Sequence, residues 1–206
     1  MLKRTFDFLA SSFALLFFSP FLIITALLIK LKDNGPVFYM APRVGKNGKM
    51  FKMYKFRSMI VNADKVGPSS TTKTDSRLTP VGKFLRKYKL DELPQLINVL
   101  GGEMSIVGPR PEVKYFTDMF NEEEKAILSV RPGITDFASV WNADEATILE
   151  GSDDPDKTYM EKIRPGKIKL QLKYIREQNF FTDMKIIFLT IKAIFSKPEL
   201  VNENKQ

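Results

Sequence analysis

The run Phe8–Ile29, FLASSFALLFFSPFLIITALLI, holds 22 residues without a charge, and no other feature of the chain limits its folding so strongly. About 20 apolar residues in a helix reach across the hydrocarbon of a bilayer. A run that is apolar on every side suits lipid better than the surface of a soluble domain. A cleaved secretory signal fits poorly, because the run is long for one and Lys30 and Lys32 follow where small residues are required. Ser19–Pro20 interrupts the run at its centre, where proline removes a helical hydrogen bond and crowds the preceding turn. Lys3 and Arg4 precede the run while Lys30 and Lys32 follow it, so flanking charge selects no orientation. A bend that returns the chain to the cytoplasmic side satisfies both flanks; a kinked crossing helix is the alternative. The expected division is a membrane segment over 1–32, a cytoplasmic folded unit over 33–197 and a tail over 198–206.

The remainder must supply a domain and its chemistry. At 206 residues and 44% hydrophobic composition, one compact domain can build a core. Lys and Arg number 32 against 24 Asp and Glu, a net charge of +8 that suits nucleic acid, phospholipid head groups or phosphorylated substrates. Cysteine and histidine are both absent. Disulfides, thiolate nucleophiles, Ser-His-Asp catalysis and the usual zinc ligands are therefore excluded. An enzyme with this composition works through carboxylates, lysines or tyrosines.

That exclusion directs attention to Arg86–Leu96, RKYKLDELPQL, where Asp91 and Glu92 sit between basic residues and a proline. The plain reading is a helix start, with Asp91 as N-cap, Glu92 favoured by the dipole and Pro94 tolerated in the first turn.

Around this stretch, Asp33–Asn34–Gly35–Pro36 is a turn cluster that marks the end of the membrane segment. Val37–Val44 and Met50–Arg57 flank Asn47–Gly48 and predict a β-hairpin with a type I′ turn, Pro42 keeping the first strand at an edge. Lys49, Phe51, Met53, Lys55 and Arg57 share one parity and predict a basic, partly aromatic face, either solvated or in contact with phosphate. Gly67–Arg77 reads as a polar loop. Helices are expected over Val81–Tyr88, Leu93–Leu100 (stopped by Gly101–Gly102), Pro111–Phe120, Asn121–Ser129, Ile163–Glu177 and Asp183–Phe195. The last combines a broad apolar face with Lys185 and Lys192, suited to a core or to a membrane surface. SIVGPRPE reads as a short strand followed by a rigid turn, and VRPGIT as another turn. The fold class is thus a small α/β (α+β) membrane-associated domain with a hairpin and several short helices.

No phosphate-binding glycine loop of the P-loop or dinucleotide type occurs. Asp154 and Asp156, in the cluster Asp153–Asp156, offer a carboxylate pair for Mg²⁺; an ordinary Asp-Pro turn is the alternative. Arg110 lies between Pro109 and Pro111, on a chain with few conformations, which pre-organises its fork for a bidentate phosphate contact.

The stretch SRLTPVGKFLRKYKLDELPQLINVLGGEMSIVGPRPE, followed by RPGIT, closely resembles the bacterial sugar transferases, the monotopic phosphoglycosyl transferases. The likeness covers nearly the whole chain, including the Ser-Pro break and the KFRSM strand, and it points to the small form of the family. It implies transfer of a phosphosugar from a UDP-sugar to a polyprenol phosphate, with release of UMP and use of Mg²⁺, at the cytoplasmic face of the bacterial inner membrane. By position it gives Asp91 the role of nucleophile and Glu92 that of metal-linked acid, the two carboxylates forming the metal site. It also gives Ser19–Pro20 the break of a re-entrant helix and Arg110 the phosphate-binding turn. The expected partners are the sugar nucleotide, the lipid phosphate and membrane phospholipid, not nucleic acid. Lys55, Arg57, Arg86, Arg110 and Arg131 are the basic residues expected to meet the diphosphate. One departure concerns the segment after RPGIT, where many members read Gly-Trp-Ala-Gln and this chain has Asp136–Phe137–Ala138–Ser139. Two other classes are weighed against this reading. One is a basic membrane-anchored binding module; the other is a metal-dependent glycosyltransferase using Asp154 and Asp156 and releasing UDP.

Overall fold

The computed structural model describes residues 2–66, 75–142 and 148–195. Most of the loop expected at Gly67–Arg77 and the whole tail over 198–206 lie outside the described residues. The chain opens with two helices, α1 (Leu2–Phe17) and α2 (Ser19–Asp33), bent by 62° at Phe18. Pro20 sits in the first turn of α2, where its missing N–H costs nothing, and the Ser19 hydroxyl donates back to the Leu16 carbonyl at 2.8 Å. The break therefore falls where the sequence puts it. Among the described residues no single helix is long and apolar enough to cross a membrane; only the bent pair together has the length and composition.

Two short sheets follow. β1 (Phe38–Val44) and β2 (Met50–Phe56) form the antiparallel hairpin, with Asn47 and Gly48 both at positive φ, as the type I′ turn requires. β3 (Ser105–Val107) and β4 (Gly133–Thr135) pair in parallel. The turn expected at VRPGIT is in fact half a strand pair. Gly108 and Gly133 lie backbone to backbone at its end, where an added Cβ on Gly133 would come within 2.1 Å of the Gly108 nitrogen.

Between the sheets, α3 (Pro80–Lys87) begins at Thr79, whose hydroxyl caps the Gly82 N–H at 2.9 Å. A 3₁₀ turn over Leu90–Glu92 leads into α4 (Gln95–Gly101), which ends at Gly102 in the left-handed region. The helix expected over Pro111–Phe120 is reduced to α5 (Lys114–Thr117), and the one expected over Asn121–Ser129 is a 3₁₀ helix over Glu124–Ser129 that keeps the Asn121 side chain on the Glu124 N–H. After α6 (Phe137–Trp141) and α7 (Pro155–Thr158), one π-helical turn over Tyr159–Ile163 joins α8 (Arg164–Glu177), and α9 (Phe180–Phe195) closes the described chain. The architecture is mixed helix and sheet.

The hairpin face carrying Phe51 and Met53 is the inner one, packed with Ala41 on Val99 and Met104. Phe51 and Met53 are therefore not on a solvated face, while Lys55, on the same face further along β2, reaches Glu92; alternation defines two faces without saying which part of each is buried. Asn98 fastens α4 to the open edge of β2: it accepts from the Tyr54 N–H at 2.9 Å and donates to the Lys52 carbonyl at 2.8 Å. The first turns of α1 dock on the same body. Asp7 is buried and accepts from the Ser105 hydroxyl and the Ile106 N–H, Lys3 reaches Asp183 and the Val107 carbonyl, and Arg4 reaches the Val99 and Leu100 carbonyls. At the far end of the pair, Ile29 packs with Phe56 and Leu85.

Candidate active site

The 3₁₀ turn over Leu90–Glu92 is what aims the two carboxylates. Lys89 takes a positive φ of 57° before it, and the tight turn sends consecutive side chains in different directions. Asp91 makes no side-chain cap; Pro94 stands at the N-cap position of α4, which has no side-chain cap. The expected N-cap role of Asp91 is therefore corrected, because the 3₁₀ turn separates it from the helix start.

Glu92 is the hub of the site. It accepts from Lys55 Nζ at 2.8 Å and from both terminal nitrogens of Arg110, with Arg110 Nη1 at 3.0 Å from Glu92 Oε2. Burial alone would push the Glu92 carboxyl up, but Arg110 and Lys55 outweigh it and hold the group well below the usual carboxylate range. Asp91 shifts the other way. It is only 6% exposed, and burial with the Glu92 charge raises it against the pull of Lys55 and Arg86. Among the described residues no hydrogen bond occupies its carboxylate. Two adjacent acids are thus driven apart in acidity by their surroundings, the common signature of divided chemical roles.

The cations come from separate elements. Lys55 stands on β2, and burial lowers its tendency to hold a proton. Arg86, on α3, donates from Nε to the Ser58 hydroxyl at 2.8 Å and interacts electrostatically with Asp91 and Glu92. Arg110 lies in the turn Pro109–Arg110–Pro111 immediately after β3. A narrow cleft lies beside that turn, with Gly45, Phe120, Leu128 and Pro132 in its walls.

Two expected basic residues are not gathered here. Arg57 is buried at the end of α2, where it donates to Asp33 at 2.5 Å and to the Ile29 carbonyl at 3.4 Å. Arg131 donates to the Gly102 carbonyl at 2.7 Å, at the C-terminal end of α4, whereas the dyad precedes its N-terminal end. Charge counting assigns sign but not place. Conversely, Arg43 on β1 was missed. The hairpin register puts Tyr39 opposite Lys55 and Arg43 opposite Phe51, so Arg43 shares the Lys55 face and feels both Arg110 and Glu92. Parity carried across the Asn-Gly turn is the signal that finds it. Asp136, at the departure from the Gly-Trp-Ala-Gln pattern, has a buried carboxylate that accepts the Arg110 N–H.

Among the described residues no group of three potential ligands could cage a metal ion. Mg²⁺ characteristically takes one or two carboxylates and completes its shell with phosphate oxygens and water; here, among the described residues, the Asp91 carboxylate carries no hydrogen bond, while both Glu92 oxygens already accept from Lys55 or Arg110. Asp154 instead accepts the Lys157 N–H at 2.9 Å as the cap of α7, the plain Asp-Pro reading.

A family model described as bacterial sugar transferase matches residues 1–197. Among similar curated proteins, a UDP-N-acetylgalactosamine-undecaprenyl-phosphate N-acetylgalactosaminephosphotransferase of Aeromonas hydrophila is 40% identical over 95% of this chain and 44% of its own length. A UDP-glucose:undecaprenyl-phosphate glucose-1-phosphate transferase of Escherichia coli (strain K12) is 40% identical over 93% of this chain and 39% of its own. The exopolysaccharide production protein ExoY of Rhizobium meliloti (strain 1021) is 37% identical over 94% of this chain and 85% of its own. The chain thus spans less than half the length of the first two.

Proposed function

The chain belongs to the bacterial sugar transferase family, and from that membership we propose that it transfers a phosphosugar from a UDP-sugar to a polyprenol phosphate such as undecaprenyl phosphate. UMP is released, and the lipid-linked product starts assembly of a membrane glycoconjugate. The observation that carries the reading is the split dyad: a buried Asp91 with a raised pKa and, among the described residues, no hydrogen bond on its carboxylate, beside a Glu92 bound by Lys55 and Arg110.

Asp91 is the nucleophile. Without His or Cys, a carboxylate is the credible group to attack phosphorus. One Asp91 oxygen bonds to the β-phosphorus while the bond from that phosphorus to the bridging oxygen breaks, and UMP leaves with that oxygen. An oxygen of the polyprenol phosphate then attacks the same phosphorus and frees the Asp91 carboxylate. Repulsion between an ionised Asp91 and the diphosphate has to be offset, and Lys55, Arg86 and Arg110 supply positive charge from three sides of the site. Arg110 shares its fork between Glu92 and the incoming phosphate oxygens. Mg²⁺, held through Asp91 and Glu92, would supply further screening of the diphosphate and the departing UMP.

The acceptor also fixes where the enzyme works. Its phosphate lies at a bilayer surface, and the bent α1–α2 pair presents exposed Phe13, Leu16, Phe17, Ile23, Ile24 and Leu27 to lipid as a re-entrant segment. α9 offers Phe181, Phe188 and Ile191 with Lys185 and Lys192, a surface suited to lie along the cytoplasmic interface.

The test is a single-turnover assay with UDP-sugar and no lipid acceptor. UMP should appear in a burst equal to the enzyme present, with a phosphosugar adduct on Asp91 that Asp91→Asn abolishes. Release of UDP, or no UMP until lipid is added, would overturn the mechanism.

A further inference from the structure

Pro109–Arg110–Pro111 contains a single backbone N–H, because neither proline has one. That sole donor points at Asp136 Oδ2, 3.2 Å away. The carbonyl of Arg110 accepts from Gln171 Nε2 at 3.3 Å, and the same Nε2 lies 3.4 Å from Asp136 Oδ2. Asp136 Oδ1 is engaged separately as the N-cap of α6, accepting the Ser139 N–H at 2.6 Å. Asp136 and Gln171 are both fully buried. The Gln171 amide faces two acceptors, so its nitrogen, not its oxygen, must lie on that side.

We infer that Asp136 and Gln171 are positioning residues, a buried clamp on both peptide groups of Arg110 that sets where its guanidinium meets Glu92 and the substrate diphosphate. The inference rests on the phosphosugar-transfer reading for its effect on rate, but not for the clamp itself. The prolines restrict the shape of the turn without anchoring it, since they leave one N–H for outside attachment. The clamp makes that attachment to α6 and α8, elements distant in sequence from the dyad. Asp136 touches no reacting group; it acts through Arg110. Its position after RPGIT is the point where this chain departs from the Gly-Trp-Ala-Gln pattern, so the device belongs to this sequence.

Asp136→Asn separates the clamp from the cap. Asparagine caps helices as well as aspartate does, but its amide would turn a donor toward the Arg110 N–H and Gln171 Nε2. Gln171→Met removes the other half of the clamp at similar volume, and it keeps the test open if Asp136→Asn fails to fold. Two readouts are needed. The first is exchange of the Arg110 amide proton, followed in the full-length protein by NMR. Both variants should lose at least about tenfold in protection, whatever the reaction catalysed. The second is a double-mutant cycle on UMP release. Either variant alone should lower kcat/KM for UDP-sugar roughly 10- to 100-fold through misplacement of the fork. In an Arg110→Ala background the same change should cost less than about twofold. Unchanged amide protection would overturn the clamp, and a cost that persists in Arg110→Ala would reduce Asp136 and Gln171 to general packing. A parent enzyme that released no UMP would refute the functional reading while leaving the exchange result to judge the clamp.

Discussion

Glu92→Gln removes a charge but keeps the shape of the side chain, and the structure says what is left behind. Lys55 Nζ and the Arg110 guanidinium both point at the lost carboxylate, with side chains only 21% and 28% exposed. Two cations would then face each other across a neutral amide that has one acceptor where two oxygens stood. Breaking a buried ion pair by deleting one partner costs about 3–5 kcal/mol, because the remaining charge is uncompensated. At roughly 2–4 °C per kcal/mol for a chain of this size, the midpoint of unfolding should fall by about 6–20 °C. The chain's single tryptophan, Trp141, packs against Gly166 and gives a fluorescence signal for the protein in detergent or nanodiscs. Adding Lys55→Met should recover a substantial part of the loss by removing one of the stranded charges. The linkage sign is also fixed. The Glu92 pKa is depressed in the fold, so its contribution is present above the unfolded value and is lost as pH falls through the folded one. Glu92→Gln should therefore be most destabilising near neutrality, with the difference from the parent shrinking in acid. A variant within about 0.5 kcal/mol of the parent at pH 7, or one that Lys55→Met does not improve, would refute the account of Glu92 as the electrostatic hub.

Three further outcomes follow from the same geometry. Arg110→Lys keeps the charge but loses the planar fork that sets two parallel donors on Glu92, so kcat/KM for the sugar nucleotide should fall at least about tenfold; near-parental kinetics would remove Arg110 from the site. Attack needs an ionised Asp91, whose pKa is raised, so the UMP burst measured against pH should lose amplitude or rate on its acid side at a pH above the ~3.9 of a free aspartate. Cysteines placed singly at Leu2 and Lys32, both exposed and in a chain without native cysteine, should react with an impermeant thiol reagent from the same side of sealed vesicles. Labelling from opposite sides would refute the re-entrant bend.

Local chemistry was legible and long-range partnership was not. The Asn47–Gly48 turn, the Thr79 cap, the Gly102 stop and the Ser19–Pro20 break are each written in a few adjacent residues with their own conformational preferences. The absence of histidine and cysteine turns attention to carboxylates, but among 24 of them it is the resemblance to the bacterial sugar transferases that points to Asp91 and Glu92. β4 could not be singled out, because three residues beside a proline and a glycine carry no periodicity and are held by a parallel partner more than twenty positions away. Arg57 and Arg131 show the limit of charge as a guide: one is consumed by Asp33 and the other by a helix-terminal carbonyl. Asp136 reads only as a departure from the Gly-Trp-Ala-Gln pattern, because nothing nearby in the sequence reveals that Arg110 will be delivered to it.

The docking of α1 has a mechanical meaning beyond packing. Lys3, Arg4 and Asp7 fasten the start of the helical pair to β3, α4 and α9, and Arg57 fastens its end through Asp33 and the Ile29 carbonyl. Both ends of one segment are tied to one rigid block, so the pair behaves as a strung bow whose string is the folded domain. Straightening the bow requires snapping one of its ends loose, whatever residue sits at position 20. Proline determines where the limb flexes; the string keeps it flexed. The placement of the apex at Phe18 relative to Asp91 is then a property of the whole molecule rather than of the helical pair alone.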